Sequence, residues 1–178
     1  GTSLIYWTYL PGNSSEFGVS IAVDSLGRAY VTGTVDLNIT GITSFPTTPN
    51  SYQPVHNSGS DAYISVISPD GSNLVYSSYL GGSGSETGYD IEIESNGIAY
   101  IVGNTSVGSF PLKNSPTFTS GDRNVFVSKF DINQTGNNSL IYSTRFGAGP
   151  FSQSSGRSIA LDNSGNAYVT GSIGTSFG

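Results

Sequence analysis

One sixteen-residue pattern occurs three times in this chain, at residues 18–33, 88–103 and 156–171, and it constrains the fold more than any other feature. In each copy, two runs of alternating apolar and polar residues flank a short turn that contains glycine. Alternation of this kind around a glycine turn predicts a tight β-hairpin. A chain that repeats one hairpin at a regular interval is therefore predicted to be a repeat protein.

The repeated unit is longer than the hairpin. A proline-containing connector follows each of the first two hairpins, and two more strand-like runs follow it, at residues 61–67 and 74–80 in the first cycle. Equivalent turn glycines are 70 residues apart from Gly27 to Gly97 and 68 apart from Gly97 to Gly165. Each complete cycle thus carries four strands, which is the content of one β-propeller blade.

These cycles predict an all-β fold of propeller-type repeats in a single domain over residues 1–178. Complete blade-like units are predicted at residues 18–80 and 88–146, and a partial unit at 156–172. Residues 4–10 match the fourth strand of the cycle, so we expect an additional outer strand there. Because closed propellers typically have four to eight blades, this count predicts an open structure rather than a closed ring.

The residue pattern of the repeat resembles that of a known family, the seven-bladed β-propeller (SBBP) repeat of bacterial and archaeal secreted and surface proteins. The residues that carry the resemblance lie at 21–33, 45–49, 79–82 and 166–171. The resemblance implies a β-propeller scaffold on a secreted or surface protein. It implies no catalytic residues, because a scaffold of this kind does not by itself specify a chemistry.

The incomplete strand count leaves three explanations open. The chain is a fragment of a longer propeller, a protein whose open edges are completed by another copy of itself, or an open β structure that is not a propeller. An exposed sheet edge invites a strand from a neighbour. Head-to-tail repetition of such a contact builds a filament.

Composition narrows the possible partners and location. The net charge is −6 and the six basic residues are scattered, so we expect no nucleic-acid binding. No apolar run is long enough to span a membrane, and we expect no membrane insertion. The absence of cysteine removes disulfides and thiolate catalysis. Low charge with abundant Tyr, Ser and Thr favours an extracellular or cell-surface location.

Five Asn-x-Ser/Thr sequons point to a glycoprotein, and we expect all five to lie in turns or inter-strand loops. They are Asn13, Asn38, Asn104, Asn133 and Asn137.

Three acids, Asp90, Glu92 and Glu94, alternate along one predicted strand. They are the candidates for a weak cation site or a carboxylate pair, with a solvated strand face as the alternative. Asp90 and Glu92 replace Ser and Ala of the other copies on a face expected to pack against a neighbouring blade, so they need partners or a wet face. Asp24 and Asp162 are expected to bind turn amides.

Nothing in the motifs indicates a catalytic site or a cofactor. The single histidine, His56, has no partner marked by any motif, and the glycine-rich stretch 81–84 lacks the Lys-Ser/Thr of a phosphate-binding loop. We therefore expect a protein that is not an enzyme.

Aromatic residues on the outer strands are the candidates for an interaction surface, with packing between blades as the alternative. They are Tyr6, Trp7, Tyr9, Tyr76 and Tyr142. The first functional hypothesis is a non-enzymatic subunit of a surface layer or filament, which associates with itself or with other surface proteins through strand pairing and aromatic packing. The alternative is an adhesin-like module that binds carbohydrate or another surface.

Overall fold

The computed structural model describes residues 3–10, 12, 15–36, 45–106, 108–116, 121–149 and 152–175. Within these residues the chain forms ten strands and one short 3₁₀ helix at Gly136–Asn138. The strands are β1 (Ser15–Val23), β2 (Ala29–Asp36), β3 (Ser60–Ile67), β4 (Leu74–Leu80), β5 (Glu86–Ser95), β6 (Ile98–Ser106), β7 (Arg123–Asp131), β8 (Leu140–Phe146), β9 (Ser152–Leu161) and β10 (Ala167–Thr175). No α-helix occurs in the described part of the chain.

The first blade is an antiparallel sheet in the order β1-β2-β3-β4. Its innermost hairpin turns at Gly27, whose φ of 78° lies in the left-handed region that favours glycine. A register shift between Gly18 and Ser20 places a β-bulge in β1. The sheet contains all four strands that the repeat predicts.

The second blade repeats this arrangement with β5 to β8, joined antiparallel in chain order. The third unit is the hairpin β9–β10, which meets the second sheet through one parallel residue pair, Arg123 and Gln153. The predicted fold class is confirmed: two four-stranded blades and a partial third form an open structure.

The three units stack face to face, and each contact has an apolar core. Tyr30, Ile64 and Tyr76 of the first blade pack with Ile91 and Phe126 of the second. A second core joins the second blade to the third hairpin, and it includes Tyr100, Val102, Val125, Val127 and Ile159. The β5 strand packs on the first blade and β9 on the second, so the same strand of each unit covers the unit before it.

The outer strand predicted at residues 4–10 is wrong as a secondary-structure assignment, because none of these residues is in a strand. A strand is stabilised by hydrogen bonds to a neighbouring strand, and none of the described strands pairs with this segment. Residues 4–10 still lie against the first blade. Tyr6 packs on the turn at Gly71, and Leu10 packs on the cluster that contains Phe45 and Tyr63.

Candidate interaction site

The innermost strands of the three units meet at one carboxylate, that of Asp90. Its Oδ1 accepts a hydrogen bond of 2.7 Å from the Ser20 hydroxyl of the first unit. Its Oδ2 accepts bonds from the Ser158 hydroxyl at 2.7 Å and the Ile159 amide at 3.0 Å, both in the third unit. Burial opposes ionisation, but these bonds outweigh it and hold the pKa of Asp90 below its ordinary value. The expectation that an acid here needs partners is thus met.

Each contact between units places an isoleucine of one unit on a tyrosine face of the unit before it. Ile91 is 2% exposed and Ile159 is 4% exposed. The faces that receive them carry Tyr30 and Tyr100. We call the isoleucine side of a unit its leading face and the tyrosine side its trailing face. Complete burial of an isoleucine side chain contributes about 1.5–3 kcal/mol.

The tyrosine hydroxyls add a polar link to the same contacts. The Gly97 amide donates to the Tyr30 hydroxyl at 3.1 Å, and the Tyr100 hydroxyl donates to the Gly165 carbonyl at 3.0 Å. Both glycines belong to the hairpin turn of the following unit. Burial raises the pKa of Tyr30 to about 12, so this hydroxyl keeps its proton at neutral pH.

The two outermost faces of the stack lack this cover. Ile21 is equivalent to Ile91 and Ile159 but is 64% exposed, since no unit lies on the leading face of the first blade in the structure. Tyr168 is equivalent to Tyr30 and Tyr100 but is 62% exposed on the trailing face of the third hairpin. The stack of units therefore exposes a leading face on its first unit and a trailing face on its third, and these are the two kinds of face that pack together inside the chain.

An open groove runs along the exposed leading face. It lies between residues 6–10 and the first blade, and its lining includes Tyr9, Ile21, Val31 and Tyr63. The segment 6–10 thus covers one side of the leading face and leaves the Ile21 side accessible.

The five aromatic residues predicted to form an interaction surface differ in exposure. Trp7 and Tyr9 are exposed and pack edge to face, with ring centroids 4.8 Å apart. Tyr6 and Tyr142 are half-buried. Tyr76 does not lie on a surface: it is fully buried between the first two blades, and its hydroxyl shares a 2.8 Å hydrogen bond with Ser139.

Of the three candidate cation ligands, Glu92 and Glu94 line one groove, and Asp90 lies apart from it. Asp90 bridges the three units, and Glu94 forms an ion pair of 2.5 Å with Lys129 of β7. Glu92 lines a shallow groove beside the first hairpin turn. No group of three potential metal ligands occurs in the part of the chain that the structure describes.

The turn aspartates bind backbone amides, as expected. Asp24 Oδ1 accepts from the amides of Leu26 and Arg28, at 3.0 and 2.9 Å. Asp162 Oδ1 accepts from Ser164 and Asn166 in the same way, at 2.9 Å each. These carboxylates fix the shape of the hairpin turns.

The expectation that every sequon lies in a loop is wrong for Asn104. This residue is in β6, is only 5% exposed, and directs its side-chain amide toward Ser155 of the third unit. A glycan on the folded chain has no access there. Asn133 and Asn137 are exposed, whereas Asn13 and Asn38 lie outside the described residues.

Two buried acids near the glycine-rich turn are missed by motif reasoning. Asp61 and Glu86 are both fully buried, and both carboxylates lie beside Gly81. Asp61 Oδ2 accepts from Gln53 and Asn57, while Asp61 Oδ1 is without a hydrogen-bond partner. Glu86 accepts from the Gly82 amide and the Thr105 hydroxyl. Burial raises the pKa of Asp61 to about 6 and also raises that of Glu86.

The repeat offset is the one sequence signal that marks Glu86, because Glu16 stands 70 positions before it. His56 lies in the same region, with its ring 5.6 Å from that of Tyr79 and its Nε2 buried without a hydrogen-bond partner.

No described helix is long and apolar enough to cross a membrane.

Comparison with known proteins identifies the repeat. The family model of the SBBP beta-propeller repeat matches residues 7–34 and 141–178. Each match begins near an outer strand position of the repeat and continues through the innermost hairpin that follows it. No curated protein matches the chain. The chain therefore carries SBBP beta-propeller repeats and is built as a propeller-type module.

Proposed function

We propose that this protein is a non-enzymatic structural subunit of an extracellular surface layer or filament, assembled by joining its blade units to those of further subunits. The observation that carries the proposal is the contrast between equivalent isoleucines. Ile91 and Ile159 are buried by the preceding unit, and Ile21 is left 64% exposed. Large exposed apolar side chains on a face built for packing mark an interaction surface.

The polar groups of the module support a structural role. Asp24 and Asp162 hold hairpin turns, and Asp90 ties the three innermost strands together. Each of these three carboxylates accepts hydrogen bonds that fix the fold. The SBBP repeat is likewise a scaffold, and function in such folds lies in what the surfaces carry.

Sedimentation velocity of the purified, unmodified chain over a wide concentration range tests the proposal. Concentration-dependent particles larger than one chain are expected, because the open faces would be buried on association. A species with the mass of one chain at every concentration would contradict the self-assembling role.

Trp7 and Tyr9 favour a second candidate, an adhesin-like module that binds carbohydrate. Both rings are exposed and held edge to face, which suits stacking against the apolar face of a sugar. Glycan-array binding that is lost in Trp7→Ala and kept in Val55→Ala, a change at another exposed apolar residue, is the expected outcome. An array without binding by the parent chain would dismiss this candidate.

A further inference from the structure

The two exposed faces of the stack are complementary to each other. In both internal contacts, the leading-face isoleucine of one unit packs on the trailing face of the unit before it, Ile91 with Tyr30 and Ile159 with Tyr100. Ile21 and Tyr168 are the remaining members of these two series, and both are exposed. We propose that the trailing face of β9–β10 in one copy docks on the leading face of β1–β2 in a second copy, in the arrangement of the internal contacts. This inference rests on the proposed self-assembling function.

A glycine in β1 gives an independent steric argument. A Cβ on Gly88 would lie 2.2 Å from Thr32 Oγ1, and a Cβ on Gly156 would lie 2.5 Å from Val102 Cγ2, so a side chain at either position would displace its neighbour in the contact between units. Gly18 holds the equivalent position on the exposed leading face. Its nearest neighbour for a Cβ is 3.6 Å away, and its φ is not in the left-handed region, so the isolated chain does not require glycine there. Docking supplies the reason.

The residue that would meet Gly18 is also in place. Thr170 stands on the trailing face of β10 at the position held by Thr32 and Val102 in the other units. Thr32 and Val102 are buried under the next unit, whereas Thr170 is exposed. The docked arrangement would place Thr170 of one copy against Gly18 of the other.

The hydroxyl of Tyr168 completes the match. It donates to Asp162 Oδ2 at 3.2 Å, as the hydroxyl of Tyr30 donates to Asp24 Oδ2 at 3.1 Å. Tyr30 also reaches the turn at Gly97 of the next unit. In the docked pair, Tyr168 would reach the turn at Gly27 of the second copy.

Residues 4–10 do not obstruct this docking, because they occupy the place of an outer strand. Tyr6 packs on the turn at Gly71 much as Tyr76 of β4 packs on the equivalent turn at Ser139. Leu10 packs on the first blade as Leu80 packs on the second. The incoming hairpin would fill the open groove beside Ile21, next to residues 4–10.

A contact between two different faces of the same chain is heterologous, and it repeats head to tail. This property can be tested, because a heterologous contact uses two different faces that can be blocked one at a time, whereas an isologous contact uses the same face of both copies. Ile21→Asp blocks only the leading face, and Tyr168→Asp blocks only the trailing face. Both positions are more than 60% exposed, so neither substitution removes a side chain from an internal core.

Sedimentation of each variant alone is expected to show single chains, and an equimolar mixture is expected to show complexes with twice that mass and nothing larger. Val55→Asp, at an exposed residue of a connector, is the matched control and should assemble as the parent chain does. Assembly by either blocked variant alone, or a mixture that stays monomeric, would overturn the proposed contact.

Disulfide trapping tests the register in a second way, because a bond between two introduced sulfurs would replace the contact between Gly18 of one copy and Thr170 of the other. The chain has no cysteine, so Gly18→Cys and Thr170→Cys introduce the only thiols. At the equivalent internal positions, a Cβ on the glycine would lie 2.2 Å from Thr32 Oγ1 or 2.5 Å from Val102 Cγ2. The facing side chains therefore come close enough for a disulfide, whose β-carbons are roughly 3.5–4.5 Å apart. Oxidation of a mixture of the two single variants should give mixed dimers, and Gly18→Cys with Val55→Cys should not. Particles from the parent chain without this mixed disulfide would refute the register while leaving the proposed function standing, whereas a parent chain that stays monomeric would refute both.

Discussion

At the scale of single residues, the buried carboxylate of Asp61 has the clearest consequence for stability. Burial is the main cause of its raised pKa, and hydrogen bonds from Asn57 and Gln53 only partly oppose that effect. The folded state therefore holds this proton more tightly than the unfolded chain, whose pKa is near the ordinary 3.8. The stabilisation from protonation is present at low pH and is lost as the pH rises through about 6.

We predict that Asp61→Asn raises the free energy of unfolding at neutral pH by about 1–3 kcal/mol and has little effect near pH 4. Asparagine can keep the bonds from Gln53 and Asn57 and places a donor where Oδ1 has no partner. Urea denaturation at both pH values measures the difference. Asp70→Asn is the control, and it should lower the free energy of unfolding at neutral pH. Hydrogen bonds from Ser68 and Ser72 lower the pKa of this exposed acid to about 2, so its ionised form is favoured in the folded chain. Equal stability of Asp61→Asn and the parent chain at neutral pH would refute the prediction.

The role of a residue is predictable from the sequence when its partners are near it along the chain, and it is not when the fold brings the partners together. The turn aspartates Asp24 and Asp162 are predictable because their partners lie within four residues along the chain. The approach of Asn104 to Ser155 and that of Asp61 to Glu86 depend on stacking of the blades. The amides that bind these two acids are local, since Asn57 and Gly82 are each four residues away. A sequon motif carries no information on burial, so it predicts a loop position for Asn104, although β6 buries this residue.

At the scale of strands, the innermost strand of each unit is joined to the next by side chains rather than by backbone pairing. Asp90 of β5 links β1 and β9, which share no backbone hydrogen bonds with β5. Its lowered pKa means that this link is present above the ordinary pKa of an aspartate and is lost as the pH falls through the lowered value.

We predict that Asp90→Ala lowers the free energy of unfolding by about 1–3 kcal/mol, because it leaves two hydroxyls and the Ile159 amide without their acceptor. Hydrogen exchange at the Ile159 amide should be faster, and exchange in β2 and β3 should change less. Glu92→Ala, two residues along the same strand, is the matched control. Equal exchange at Ile159 in both variants would show that Asp90 does not hold the third unit.

The sequence also predicts the ten described strands better than it predicts what they pair with. Hydrophobic alternation located both complete blades and the third hairpin, since alternation reflects a sheet face that is local in sequence. The same pattern in residues 4–10 does not produce a strand, because none of the described strands pairs with this segment through backbone hydrogen bonds. That segment keeps the packing of an outer strand at Tyr6 and Leu10 without its hydrogen bonds.

At the scale of the whole molecule, the chain is a stack of repeating units whose first and last faces match. Internal contacts bury Ile91, Ile159, Tyr30 and Tyr100, and the stack leaves Ile21 and Tyr168 exposed at its two ends. Because the stability of a repeat array depends on contacts between neighbouring units, exposed end faces favour addition of a further unit. The repeat produces equivalent faces, the open fold leaves two of them exposed, and the proposed structural role uses both.

The solution mass of an equimolar mixture of Ile21→Asp and Tyr168→Asp chains is the decisive measurement for head-to-tail docking. We expect single chains for each variant alone and paired chains for the mixture, because only one leading face and one trailing face remain able to meet. Single chains in the mixture, beside a parent chain that assembles, would contradict head-to-tail docking.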